Sequence, residues 1–455
     1  MRSRENNRRT APLRPLLAKE LREIAGGRAL WVMLLLTCPL VGYSFVQAVS
    51  LYAETSFPGQ QSPVLAASLS PLDGVLVPTF GALYVCVTLL FPFVAIRVVS
   101  HEKETAALSL LAQLPYGSAT LVGAKLAAVM AAWLLVSVPA LSALVVWVLL
   151  GGHLAPAETL NLLLGHLLYG FLVGAVALFA AAVAEGAATA AIITLAFTIG
   201  SWVLDFTVAG RPGLFDWVAR LSLTQAMRTF EQGLFSAATA CAMTAAAAGF
   251  AGLAGIWLRP GVVARVRLVR SVACALAAAI VIGIAVQVRW SVDASEDQRN
   301  SFAAADQRAL ATLAGPLAIT VHLIPEDPRF ADLQRNILMK LERAMPRVTV
   351  QLAGGSERDP RYGEVEYAYG GRSDVSRSTS PREILPLLYA LAGVAPPAPA
   401  PGGDYPGYPL VASAELALVW FLGALPLLII LAWGWSRRPP SLESLLTQEV
   451  RHASG

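Results

Sequence analysis

The sequence predicts a mostly α-helical, polytopic membrane protein with about eight transmembrane helices and one extracytoplasmic α/β domain between helices seven and eight. Three observations lead there. The chain is 56% hydrophobic and only 14% charged, against about 25% charged in ordinary soluble domains. Long apolar runs recur, and a bilayer core about 30 Å thick takes roughly 20 helical residues. The segment 290–410, by contrast, has ordinary soluble composition.

The runs are taken in order. Residues 1–28 form a charged N-terminal segment, and the first span follows at 29–52, beginning ALWVMLLLTCPL. Leu16, Leu17, Leu21 and Ile24 recur near helical spacing opposite Lys19, Glu20, Arg22 and Glu23. That pattern predicts an amphipathic helix lying along the membrane interface, with a plain cytoplasmic extension of the first span as the alternative. The second span is 74–97, and the third and fourth are 121–151 and 158–184, joined through GGHLAPAE. Spans five and six cover 187–209 and 233–258, completing a six-helix unit at 29–258. A basic linker at 259–270 leads to span seven at 271–289, and span eight at 411–435 precedes a tail at 436–455.

Orientation follows from the basic residues, because short cytoplasmic loops retain Lys and Arg. Arg2, Arg4, Arg8, Arg9, Arg14, Lys19, Arg22 and Arg28 precede span one, whereas 53–73 carries no Lys or Arg. Both termini are then expected in the cytoplasm and 290–410 outside. Lys103, Arg259, Arg265, Arg267, Arg270, Arg437 and Arg438 fall inside with them. One loop disagrees: 210–232 should be outside yet holds Arg211, Arg220 and Arg228. No separate signal peptide is expected, since span one is too long for an ordinary h-region.

Between spans two and three lies HEKETAALSLLAQLP, residues 101–115. Glu102 to Leu114 is too short and too charged to cross a bilayer, so a helix resting at the cytoplasmic surface is expected. Ser100 is its candidate cap, Glu102 and Glu104 suit its first turn, and Leu108, Leu111 and Leu114 share a face. Pro115 and Gly117 should end it. Such a helix, tied at both ends to membrane spans, is either a mechanical handle or a plain connector.

In the segment 290–410, a helix is expected from Ser301 to Leu313, stopped by Gly315. Leu317, Ile319, Val321 and Leu323 alternate with Ala318, Thr320 and His322 as in a half-buried strand. Phe330, Leu333, Ile337, Leu341 and Met345 mark one helix face, and Val348, Val350 and Leu352 alternate again. A β-α-β unit with a right-handed crossover is the expected result. EVEYAY at 364–369 reads as a third strand and GGRSD at 370–374 as a turn, with a peptide- or glycan-binding loop as the alternative. Ser380, Pro381 and Glu383 read as a capping box with Pro at the first helical position. VAPPAPAPGGDYPGYP then forms a stiff tether to span eight.

Sets that carry chemistry are missing from the sequence. It has no H-E-x-x-H, G-x-S-x-G or C-x-x-C. Cys38, Cys86, Cys241 and Cys274 all fall in spans, so no disulfide framework is expected. His101, His153, His166, His322 and His452 are scattered, as are the seven methionines, so no metal site is expected. His166 and Asp205 lie in or near spans, where a polar group is costly unless paired or hydrated. They are the candidates for lining a pathway, with an interfacial position the alternative for Asp205.

HEKETAALSLLAQLP followed by GAKLAAV resembles the first cytoplasmic loop of type-2 ABC exporter permeases, with its E-x-E-x-x-T-L-x-x-L-L-x-x-P pattern before a Gly-Lys pair. Glu102, Glu104, Leu108, Leu111, Pro115 and Lys125 match, while Thr105 and Ala106 stand where the family often has Gly-Thr. The six-span count, the interfacial helix and LTQAMRTFEQGLF before span six are similar too, so the resemblance covers 1–258. It implies a coupling helix near 101–115 on which a separate ATPase subunit docks, through Glu102, Lys103, Glu104, Leu108 and Leu111. ATP and Mg would be bound by that partner and no cofactor by this chain. GSATLVGAK has the wrong spacing for a G-x-x-x-x-G-K-[ST] loop.

Residues 271–435 resemble the auxiliary domain of gliding-motility-type ABC systems. WSVDASEDQRNSFAAADQRALATLAGPLAITVHLI and YAYGGRSDVSRSTSPREILPLL carry that resemblance in order. The expected protein is an inner-membrane permease subunit of an ATP-driven exporter, without enzymatic activity of its own. Its expected partners are an ATPase subunit, a second copy or a second permease, membrane lipid, and an extracytoplasmic protein or glycan, with no nucleic acid among them. The alternative is a non-transporting scaffold whose extracytoplasmic domain binds envelope or motility partners; a membrane enzyme is a further rival, disfavoured by the absent catalytic sets. The sparse charge within the spans suggests a hydrophobic or lipid-linked cargo.

Overall fold

The computed structural model describes residues 13–111, 113–114, 116–208, 222–259, 261–288, 290–325, 327–353, 360–398 and 405–437. Pro115, Arg211, Arg220, Arg438, His452 and the arginines before Leu13 lie outside these.

Among the described residues, eight helices are long and apolar enough to cross a membrane, matching the eight runs read from the sequence and compatible with a multi-pass membrane protein. In chain order, α1 is Leu13–Gly26, α2 is Arg28–Gly59 and α3 is Leu72–Glu104. A short α4 at Ala107–Leu111 precedes α5 at Ser118–Leu149 and α6 at Pro156–Val183. Then come α7 at Ala187–Val208, α8 at Leu223–Glu231, α9 at Ala237–Trp257 and α10 at Ala264–Ala285. The last spanning helix is Glu415–Ser436.

The core lies around α6, which packs against α3, α5, α7, α8 and α9. Close approach there depends on missing side chains. A Cβ on Gly170 would lie 2.1 Å from the Trp133 indole nitrogen, so only glycine lets α5 and α6 meet at that level. By contrast α10 is almost wholly exposed and leans on α9.

Several boundaries differ from the sequence reading, each for a local reason. The second spanning helix continues through Glu104 instead of ending at 97, because Glu102 and Lys103 find partners within the bundle. The basic linker 259–270 is helical from Ala264. The sixth spanning helix starts at Ala237 because Leu234–Ser236 forms a strand, β1, antiparallel to β2 at Ser291–Asp293. In α1, Leu16 and Ile24 are buried as expected, but Leu21 is exposed and Glu20 is fully buried.

Between the seventh and eighth spanning helices an α/β domain is built on four further strands. These are β3 (Leu317–Val321), β4 (Val348–Leu352), β5 (Val365–Tyr369) and β6 (Arg372–Ser376). The sheet order is β4-β3-β5-β6, with β3 and β4 parallel and the other pairs antiparallel. Helical turns over 328–344 make the β3-to-β4 crossover. Alternation puts Leu317, Ile319 and Val321 into a core with Leu333, Ile337 and Leu341 from that crossover and Ile384 and Leu388 from the helix Pro381–Ala392. Each such side chain contributes about 1.5–3 kcal/mol by burial.

The helix after Ser301 is shorter than expected, Ala304–Ala311. In GGRSD the turn is Gly370–Gly371 alone, with φ of 60° and 81°, the left-handed pair a two-residue hairpin demands. Arg372, Ser373 and Asp374 belong to β6, an exposed edge strand that charge protects from further pairing. Ser380 does occupy the N-cap of its helix, but its side chain makes no capping bond.

Tyr367 sits in this core fully buried, and its hydroxyl has no hydrogen-bond partner among the described residues. Removing an unpaired buried hydroxyl removes its desolvation cost. Tyr367→Phe is therefore expected to stabilise the domain by about 1 kcal/mol, read as a rise in its melting midpoint.

Candidate functional site: a charged bracket and its exposed tip

The segment read as one surface helix from Glu102 to Leu114 is divided. Helix α3 runs to Glu104, the chain turns at Thr105 and at Ala106, which has φ +55°, and α4 begins at Ala107. Ser100 is a buried residue inside α3 and not a cap. The reason for the division is that Glu102 and Lys103 are drawn into the bundle.

Glu102 is 1% exposed and Lys125, on α5, is 0% exposed; the Lys125 ammonium lies 2.7 Å from Glu102 Oε2. The same ammonium donates to Glu20 Oε1 at 3.0 Å and to the Val98 carbonyl at 3.1 Å. Lys19 joins from α1, paired with Glu102 and with Glu20 and Glu23 at 3.3 and 3.1 Å. Burial pushes the Glu20 carboxyl above its usual range; Lys125 pulls it back and Glu102 adds repulsion. Burial would lower the Lys19 ammonium, but its bonds to Glu102 and the charge of Glu20 hold it above the ordinary lysine range. Carboxylate oxygens of Glu20, Glu23 and Glu102 lie within 4.8 Å of one another, with Lys19 and Lys125 supplying the countercharge. The arrangement locks α1, α3 and α5 together.

Lys103 makes a different tie. Its ammonium donates to the carbonyls of Ala182 and Ala184, at 2.8 and 2.9 Å. These are carbonyls at the C-terminal end of α6, where a helix lacks internal partners and favours a cation.

Of the five residues expected to face a partner, then, Glu102 and Lys103 face inward. Leu108 packs against the bundle core, and both Leu108 and Leu111 pack against a small cluster of Leu16, Leu121 and Ala124. Only Glu104 of the set is exposed. The tip carries instead Leu110, 66% exposed, and Leu114, 48% exposed. A sequence signal for them existed in the polar break at Thr105, which resets the helical phase after it.

Left-handed backbone costs a non-glycine residue roughly 1–2 kcal/mol. Ala106→Gly is therefore expected to stabilise the protein by about 1 kcal/mol, visible in thermal denaturation in detergent.

Among the described residues no hydrogen bond or ion pair joins the two pathway candidates. His166 is 2% exposed, its ring 5.2 Å from that of Phe80, and its Nε2 has no partner among the described residues. Asp205 accepts from Gln225 at 2.8 Å and pairs with Arg228 at 3.1 Å. The carboxylate thus meets the charge of an arginine from the one loop that broke the charge rule.

At the opposite end of the bundle a second polar joint holds the α/β domain. Glu296 accepts from His153 Nε2 at 2.9 Å and from the Tyr408 hydroxyl at 2.6 Å, and its own N–H donates to Glu158. The imidazole stacks on the Tyr408 ring, 3.6 Å between centroids. The hydrogen bond to Glu296 pushes the Tyr408 phenol up to about 12. Arg299 pairs with Asp73 and bonds Ser70 at 2.9 Å.

No protein-family model, curated protein or solved structure matches this chain.

Proposed function

We propose that this chain is the transmembrane permease subunit of an ATP-driven ABC exporter in a cell inner membrane, acting as a homodimer or beside a second permease. In this reading a separate cytoplasmic ATPase docks on the tip at 104–114. Both termini lie in the cytoplasm and the α/β domain lies outside.

What supports the reading is the mounting of that tip. Glu104, Leu110 and Leu114 are exposed on a segment fixed through Glu102 and Lys125 to α1 and α5, and through Lys103 to α6. A push on it would reach four helices at once, as packed rigid elements transmit motion. Exposed apolar side chains beside a charge suit a protein partner.

Purification in mild detergent tests this by asking whether an ATPase chain accompanies the permease in equal amount. Leu110→Glu with Glu104→Lys is expected to lower ATPase retention about tenfold, the loss of roughly 1.4 kcal/mol, with membrane insertion unchanged. Recovery of envelope proteins without any ATPase would favour a scaffold instead.

A further inference from the structure

A cavity of about 500 Å³ opens between the start of α5, the end of α9 and the start of α10. Its walls are apolar and small: Gly123, Leu126 and Gly255 line it, and a Cβ built on Gly123 meets nothing within 4 Å. Arg259, Arg270 and Ser118 line it as well. Arg259 donates to the Ser118 hydroxyl from Nε and Nη2, at 3.0 and 2.7 Å. Among the described residues neither arginine forms an ion pair.

Those arginines stand where two spanning helices end and begin, Arg259 just beyond Trp257 and Arg270 in the second turn of α10. That is the level of lipid headgroups, and basic pockets between spanning helices bind anionic headgroups. A guanidinium pair with no carboxylate calls for an anion, and phosphate matches its planar donor set. The groove beside it calls for hydrocarbon. Only an amphiphile satisfies both.

We propose that this cavity binds one anionic phospholipid, its phosphate between Arg259, Arg270 and the Ser118 hydroxyl and an acyl chain along Gly123 and Gly255. The lipid bridges α5 to α10, a helix that otherwise rests on α9. The proposal does not depend on the transporter reading.

Native mass spectrometry of the full chain, released from mild detergent with added phosphatidylglycerol or phosphatidylcholine, tests it. Wild type is expected to retain phosphatidylglycerol at least tenfold better. Arg259→Gln with Arg270→Gln should abolish that preference, whereas Arg265→Gln, outside the cavity lining, should keep it. Gly123→Leu, which keeps both arginines and fills the groove, should lower retention of either lipid. Equal retention by wild type, or an unaffected arginine double variant, would overturn the site. So would displacement of the lipid by millimolar inorganic phosphate, which marks a soluble-anion pocket. Disulfide-linked dimers formed by Gly123→Cys would assign the groove to a second copy and equally overturn it.

Discussion

Lys125→Met is expected to destabilise the protein by about 3–5 kcal/mol, because it leaves buried carboxylates without their shared cation. Glu20 and Glu102 are 0% and 1% exposed and both rest on this ammonium. Lys19 reaches each of them but is itself 39% exposed, so water weakens what it supplies. Thermal denaturation in detergent should show the loss directly. Adding Glu20→Gln and Glu102→Gln to Lys125→Met should recover much of it, since removing all the charges of a buried set costs less than removing one. Failure of the triple variant to recover would mean that the lysine acts through packing.

Gly407→Val is expected to detach the tether that leads into the last spanning helix. Gly407 has φ +67°, and a Cβ there would lie 1.6 Å from the Ala66 carbonyl oxygen. The left-handed conformation costs about 1–3 kcal/mol for a non-glycine residue. A clash with backbone adds about 1–3 kcal/mol more. Neighbouring contacts should fail together: Tyr408 N–H to the Leu69 carbonyl, Tyr405 hydroxyl to the same carbonyl, and Tyr52 hydroxyl to the Tyr408 carbonyl. Limited proteolysis checks this, with faster cleavage at residues 405–410 expected in the variant and unchanged cleavage within the sheet.

The spanning helices were legible because length and apolar composition state the requirement of a bilayer directly. The β-α-β unit was legible from period-two alternation at Leu317–Val321 and Val348–Leu352. Edge strand β6 was not, because Arg372–Ser376 is exposed and lacks any apolar alternation. The bracket was half legible. Glu102 and Lys125 stood out as residues, but their third partner, Glu20, lies 105 positions from Lys125, and no local pattern reports such a pairing. Acidic residues near a helix end read as solvated by default, so Glu102 was expected outside where tertiary pairing places it within. Arg228 was misleading for the same reason. Its countercharge, Asp205, belongs to another helix.

The ladder between Leu234–Ser236 and Ser291–Asp293 closes the α9–α10 hairpin at one end. Its two halves flank α9 and α10, so the strands pair only when those helices run back alongside each other. The α/β domain that follows therefore starts from a fixed point on the bundle and not from a free linker.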